Sequence, residues 1–162
     1  MITASDLAGY FAAHAIWCVS GGATLIPMLA YSKGDERQME RLAHEELSEA
    51  VEFGKEKLES NPMDATDAVL VYDGRITIED EKLDAILLEL RAYFSPDSKA
   101  VIAIPYTPKS RRMLFRVHKP KLLEWEQCDD FDIDAVFEAF FRGVSDHEKG
   151  FEIWNKCLDE SK

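Results

Sequence analysis

Residues 68–94 constrain the fold of this chain more than any other stretch. Two runs rich in β-branched and large apolar residues, 68–78 and 83–94, flank the polar sequence Glu-Asp-Glu-Lys. This strand–turn–strand pattern predicts a long antiparallel hairpin. Because an isolated hairpin is only marginally stable in water, the rest of the chain is expected to extend it into a covered sheet.

Capping and periodicity signals predict the other elements. The chain should begin with a short helix at residues 5–14, followed by a hairpin that turns at Gly21-Gly22, since glycine tolerates the positive φ of a primed turn. Apolar residues at three- and four-residue spacing predict a helix over 35–60. Two more strands are expected at 100–106 and 113–118. A helix capped by Asp132 should follow, with a break near Gly143 before a last helix.

These elements predict an α+β fold. We expect a single domain over residues 1–162, with a mainly antiparallel sheet of about six strands. The order is α-ββ-α-ββββ-αα, and the helices are expected to pack on one face of the sheet.

Composition narrows the classes of partner. The 162-residue chain is 46% apolar and 31% charged, which is typical of a globular domain. Its three cysteines show no paired spacing and no apolar run is long enough for a membrane span, so we expect a cytoplasmic protein that does not enter a membrane. The net charge of −12 repels phosphate and therefore disfavours nucleic acid as a partner.

The long hairpin carries a pattern typical of metal-dependent nucleases, with Asp73 on one strand and Glu89-Leu90-Arg91 on the other. A register that pairs Asp73 with Leu87 would place Asp73, Glu89 and Arg91 on one side of the sheet. Such enzymes need two converging carboxylates and a lysine, but an arginine stays protonated and cannot act as a base. We therefore expect this side of the hairpin to be an ordinary hydrated surface.

Other chemical motifs are absent from the sequence. The four histidines are spread over separate segments, and no metal-ligand spacing, nucleophile elbow or phosphate-binding loop occurs. We therefore predict neither a metal nor a cofactor, and the catalytic alternative rests on Asp73, Glu89 and Arg91 alone.

Charge reverses sharply in the second half of the chain. Residues 109–123 carry six Lys or Arg and no acid, whereas residues 124–138 carry seven Asp or Glu and no base. One interpretation is that acidic helices of the same chain neutralise the basic segment. The alternative is a docking patch for an acidic protein or a phosphorylated ligand, formed by Lys109, Arg111, Arg112 and Arg116.

The expected first hairpin offers another candidate surface. Trp17, Met28 and Tyr31 would gather there and form either a core or a protein interface. Pro27 cannot donate to a ladder, so it would mark an open edge or a bulge, and two copies could form a homodimer through an open edge.

Together these observations favour a non-enzymatic binding or regulatory protein that acts through a protein–protein surface. The acidic charge suggests that it masks a basic partner. In size, charge and class the chain resembles bacterial immunity proteins and secretion chaperones, although no motif carries this resemblance and it assigns no residue. The alternatives are a phosphodiester-cleaving enzyme that uses Asp73 and Glu89, and a phosphorylated-ligand-binding domain that uses residues 109–121.

Overall fold

Four helices and a seven-stranded sheet make up the fold. The computed structural model describes residues 1–162. Its helices are α1 (Ile2–Ser20), α2 (Leu47–Ser60), α3 (Ile133–Asp146) and α4 (Glu148–Cys157). Its strands are β1 (Met28–Lys33), β2 (Glu36–Arg41), β3 (Asp67–Ile78), β4 (Glu81–Ala92), β5 (Lys99–Thr107), β6 (Arg116–Val117) and β7 (Lys121–Glu126). The predicted α+β class is confirmed, and the order of elements differs from the predicted one only by the added strand β7.

The sheet runs in the order β2-β1-β3-β4-β5, with β6 and β7 both pairing with the far side of β5. Every ladder is antiparallel, and a single parallel bridge joins Val117 to Leu158. β6 is shorter than the predicted strand at 113–118. Strands β2 and β7 leave open edges, so a homodimer through an edge stays a prediction.

Helices cover both faces of the sheet, whereas we expected them on one face. Helices α1, α3 and α4 lie with the main core, which includes Met28 and Leu88. Helix α2 lies on the other face, where Ala50 and Leu58 pack with Leu70. Successive side chains of a strand point to opposite faces, so the two adjacent apolar residues Leu70 and Val71 are buried in different clusters.

The first helix is longer than predicted, and the hairpin expected at Gly21-Gly22 is absent. α1 continues to Ser20 because Ala15, Ile16 and Val19 are buried against the rest of the molecule. Gly22, with φ of +90°, lies just beyond the helix end. Burial of a nearly all-apolar helix therefore outweighs the strand propensity of the segment Ile-Trp-Cys-Val.

The observed first hairpin lies further along the chain. β1 and β2 turn through Gly34, which has φ of +65°, and β2 occupies the first part of the predicted helix at 35–60. Its sequence, Glu-Arg-Gln-Met-Glu-Arg, favours a helix when isolated, but β1 supplies a hydrogen-bonding partner. Many charges on an edge strand also prevent unwanted pairing with other chains.

The last two helices meet at His147 rather than near Gly143. Asp132 caps α3 as predicted, accepting hydrogen bonds from the amides of Asp134 and Ala135. Gly143 lies inside α3, where an added Cβ would sit 1.9 Å from the carbonyl oxygen of Asp6. Gly143 thus permits α1 and α3 to approach closely, and it does not break helix α3. None of the four helices combines the length and the apolar character that crossing a bilayer requires.

Candidate functional site

The β3–β4 hairpin has a register one residue away from the expected one. Asp73 lies opposite Ile86 rather than Leu87. The turn contains only Glu79 and Asp80, with φ of 49° and 65°, and is therefore shorter than the four residues expected. A shift of one residue moves every side chain of a strand to the other face.

This register separates the residues of the nuclease-like alternative. Asp73 lies on the face of the main core, where the hydroxyl of Tyr106 donates to both of its carboxylate oxygens at 2.8 and 2.9 Å. Glu89 lies on the α2 face and accepts a 2.7 Å hydrogen bond from Tyr72. Arg91, also on the α2 face, is buried and bonded to Glu59.

Because Asp73 and Glu89 project from opposite faces, they do not converge on a common site. No group of three or more His, Cys, Asp or Glu side chains is arranged to hold a metal ion. The geometry therefore gives the metal-dependent alternative no support, and the expected pairing of Asp73 with the Glu89 face was wrong.

The residues proposed for the first hairpin are not brought together. Trp17 lies on α1, where its ring is 4.9 Å from the ammonium group of Lys149. Met28 is buried in the main core. Tyr31 points to the other face of β1 and donates to Gln38 at 3.2 Å. These three residues thus form no common surface.

The basic segment is neutralised only in part. Arg116 lies 3.6 Å from Asp159, and Lys119 lies 3.7 Å from Glu160, so the partners are in the C-terminal segment rather than in acidic helices. Lys109, Arg111 and Arg112 are exposed in the β5–β6 loop and make no ion pair. This loop remains a candidate binding surface.

A second charged surface lies at the opposite end of the sheet, and the sequence did not predict it. Four loops meet there: 34–35, 61–66, 93–98 and 127–132. They contain six exposed aspartates and no Lys, Arg or His: Asp35, Asp64, Asp97, Asp129, Asp130 and Asp132. None of these six makes an ion pair. We call this surface the acidic end.

A cleft of about 630 Å³ opens within the acidic end. Asp35 and Phe94 belong to its walls, and Asp67 lies deeper, with only 3% of its surface exposed. Burial raises the pKa of the Asp67 carboxyl, an effect that the neighbouring Thr66 hydroxyl and the amino group of Met1 oppose. The carboxyl makes no ion pair, although the amino group of Met1 acts on it from a longer distance, so a cation from outside can pair with it directly.

Exposed apolar side chains stand among these acids. Phe94 is 74% exposed, and Ile133 is 41% exposed. The rings of Phe94 and Phe131 are nearly perpendicular, with an interplanar angle of 81° and a ring-centre distance of 6.1 Å.

The loops that carry these residues are held together by hydrogen bonds. The hydroxyl of Ser98 donates to the carbonyl oxygen of Gln127 at 2.6 Å, and the thiol of Cys128 contacts the carbonyl oxygen of Lys99. These contacts fix the loop 93–98 against the loop 127–132, and the ring of Phe94 stays exposed on the first of them.

The sequence contained only fragments of this site. The segment Cys-Asp-Asp-Phe-Asp was visible as part of the acidic stretch, but Asp35 was assigned to a helix and Asp67 to no element. The cleft exists only because β1, β3, β4 and α1 begin or end at the same side of the sheet. Compared with protein-family models, characterised proteins and solved structures, the chain shows no match.

Proposed function

We propose that this protein is a non-enzymatic binding protein that holds an arginine- or lysine-bearing segment of a basic partner protein at the acidic end. The observation that carries the proposal is the cleft in which the exposed ring of Phe94 stands beside the buried carboxyl of Asp67. The acidic net charge favours a protein that masks a basic partner, and the proposal assigns this role to the acidic end.

The chemistry of the cleft suits a guanidinium or ammonium group better than an anion. A cation that enters it can pair with Asp67 or Asp35 and contact the face of Phe94, and a cation–π contact contributes about 0.5–2 kcal/mol. The remaining exposed aspartates would raise the rate of association with a basic chain through long-range attraction. Exposed Ile133 adds apolar contact area, which charge alone does not supply.

A pair of matched peptides tests the proposal. One is a short fluorescent peptide in which arginine alternates with glycine, and the other carries citrulline, which has nearly the same shape but no charge, in place of each arginine. Fluorescence anisotropy should show binding of the arginine peptide and at least about tenfold weaker binding of the citrulline peptide.

Variants of the cleft then locate the binding. Asp67→Asn should weaken arginine-peptide binding by about tenfold or more, and Phe94→Ala by about threefold to tenfold. Glu152→Gln is the matched control, because Glu152 is exposed on α4, makes no ion pair and loses the same charge. Equal binding of the two peptides, or an equal effect of Glu152→Gln and Asp67→Asn, would refute the proposed function.

A further inference from the structure

The basic end of the molecule contains a cavity that the proposed function does not use. It has a volume of about 430 Å³ and lies between the β5–β6 loop, β6, α4 and the end of α1. Its size is within the range of sites for small organic molecules, about 300–1,000 Å³.

Three cations line this cavity, and they come from three different elements. Lys109 belongs to the β5–β6 loop, Arg116 to β6 and Lys156 to α4. Only Arg116 has an acidic partner, Asp159 at 3.6 Å. Like charges that converge on one cavity repel each other, and an anion bound between them removes that repulsion. A net charge of −12 on the whole chain makes this local concentration of positive charge unusual.

The other walls of the cavity are apolar. Phe115 is buried beneath it, while Leu114 and Leu158 are 74% and 40% exposed. Leu158 is held in place because the amide of Asp159 donates to the carbonyl oxygen of Val117 at 2.8 Å. The cavity therefore combines positive charge with a fixed apolar surface.

Leu158, which directly follows α4, also lines a groove of about 480 Å³ on the other face of that helix. The groove is bordered by α3 and by the ion pair of Lys119 with Glu160, and it meets the basic cavity at Leu158. Most of its lining is apolar and includes Phe141 and Phe151, which are 45% and 38% exposed. An aliphatic or aromatic body can lie in this groove while its charged group stays in the basic cavity.

We propose that the basic cavity and the adjoining groove form one site for a free amphipathic anion. Lys109, Arg116 and Lys156 bind its carboxylate or phosphate group, and its apolar body crosses Leu158 toward Phe141 and Phe151. The site is separate from the acidic end, so this proposal and the proposed function can fail independently.

Fluorescence titration with anilinonaphthalene sulfonate, an anion with an aromatic body, tests the site directly. The wild-type protein should bind it, and the uncharged analogue N-phenylnaphthylamine should bind at least about tenfold more weakly. Laurate, used below its micelle concentration, should displace the dye, whereas the same concentration of inorganic phosphate should not. Displacement by phosphate alone, or equal binding of the charged and uncharged dyes, would overturn the proposal.

Two double variants with equal change of charge locate the anionic group. Lys109→Gln/Lys156→Gln should weaken dye and laurate binding by about tenfold or more, since each lysine supplies a charge-assisted contact. The control is Lys33→Gln/Lys82→Gln, at exposed lysines of β1 and β4 that make no ion pair. In this variant the affinities for the dye and for laurate should stay within about twofold of the wild-type values. Equal effects of the two double variants would show that only the overall charge matters and would overturn the assignment.

A third comparison tests the apolar part and the source of the ligand. Phe151→Ala should weaken laurate binding, because it removes part of the groove wall. Vesicles of anionic lipid should not carry the wild-type protein down on sedimentation. Unchanged laurate binding in Phe151→Ala would show that the groove does not hold the apolar body. Co-sedimentation of the wild-type protein with the vesicles, abolished in Lys109→Gln/Lys156→Gln, would show that the site binds a lipid surface rather than a free molecule.

Discussion

Asp67 combines burial with a position in the cleft of the acidic end. Because burial raises its pKa, the folded protein disfavours the ionised carboxylate relative to the unfolded chain. Buried charged groups that destabilise the fold are typical of binding sites, where a bound partner restores the missing contacts. Asp67 therefore connects the stability of the protein with its proposed function.

Replacing Asp67 should separate stability from binding. Asp67→Asn is expected to raise the free energy of unfolding by about 1 kcal/mol at neutral pH, although it weakens arginine-peptide binding. Because the pKa is raised, the destabilisation by the ionised carboxyl is fully present above the folded-state pKa. It disappears as the pH falls below the unfolded value of 3.8. Urea denaturation at pH about 7 and about 4.5 should show a smaller difference at the lower pH. A variant that is less stable at neutral pH would contradict this interpretation.

His14 and His147 form a second residue-scale feature, at the contact of α1 with the α3–α4 junction. Nδ1 of His147 accepts a 2.9 Å hydrogen bond from the amide of Gly150, so Nε2 of His147 carries the proton and donates to Nδ1 of His14 at 3.1 Å. Burial lowers the pKa of both imidazoles, and Lys149 opposes protonation of His147 while Arg41 opposes that of His14. Folding therefore favours the neutral form of both imidazoles.

Protonation of this pair should destabilise the fold. The unfolded histidines take up protons near pH 6.5, whereas the folded ones do so only at lower pH. The stability they confer is fully present above about pH 6.5 and falls as the pH drops through that value, by up to about 1.4 kcal/mol per pH unit for each group. The double variant His14→Phe/His147→Ser keeps a side chain that can cap α4 and should show a smaller loss of stability between pH about 7 and about 5. The same slope in both proteins would show that other groups control it.

At the scale of elements, the β3–β4 hairpin shows what the sequence could predict and what it could not. Alternation of apolar residues located both strands, but the register depended on the turn, where Glu79 adopts positive φ although glutamate rarely does, so the turn residues did not mark its position. The difference of one residue placed Asp73 on the wrong face. The order of elements matches apart from β7, although the first hairpin lies further along the chain than predicted, and the face of Asp73 was predicted wrongly.

The turn also yields a prediction about stability. Replacing Glu79-Asp80 by Asn-Gly should raise the free energy of unfolding by about 1 kcal/mol, because Asn and Gly adopt positive φ with less strain. Thermal or urea denaturation measures the gain. Replacing exposed Glu79 and Lys82 by alanine places neither Asn nor Gly at a position of positive φ and should bring no such gain. Loss of stability in the Asn-Gly variant would contradict the two-residue turn.

Two other elements show how tertiary contacts override local preference. The end of α1 has strand-forming residues but becomes helical because Ile16 and Val19 are buried on one side of it. β2 has helix-forming residues but becomes a strand because β1 offers an edge. In both cases the contacting residues lie outside the short window in which periodicity is read, so the sequence pattern does not reveal them.

At the scale of the whole molecule, the charges are segregated along the sheet. β5 starts beside the acidic end at Lys99 and finishes at Thr107, just before the basic loop. The charges at the two ends of the sheet, in the basic loop around Lys109 and in the acidic loop around Asp129, are separated by about the length of the nine-residue strand β5, roughly 27 Å. Charges nearer the reversal, such as Lys121 and Glu124 on β7, remain close together. The molecule thus has an acidic surface at one end of the sheet and a basic loop at the other.

The acidic end itself could not have been predicted from the sequence. Its aspartates come from four loops that are distant along the chain, and their meeting depends on the strand order β1-β3-β4-β5. The basic segment was visible because its charges are contiguous. A charged surface built from one stretch of chain is therefore predictable here, while one assembled by the topology is not.

Nuclear magnetic resonance titration of the labelled protein with the arginine–glycine peptide tests the central proposal most directly. We expect the amide signals of Asp35, Asp67 and Phe94 to shift with a single saturation curve, and those of Arg111 and Arg112 to stay unchanged. The shifts should weaken with added salt, since the contacts are electrostatic. Shifts confined to other surfaces, or the same shifts with the citrulline peptide, would show that the acidic end is not a site for a basic segment.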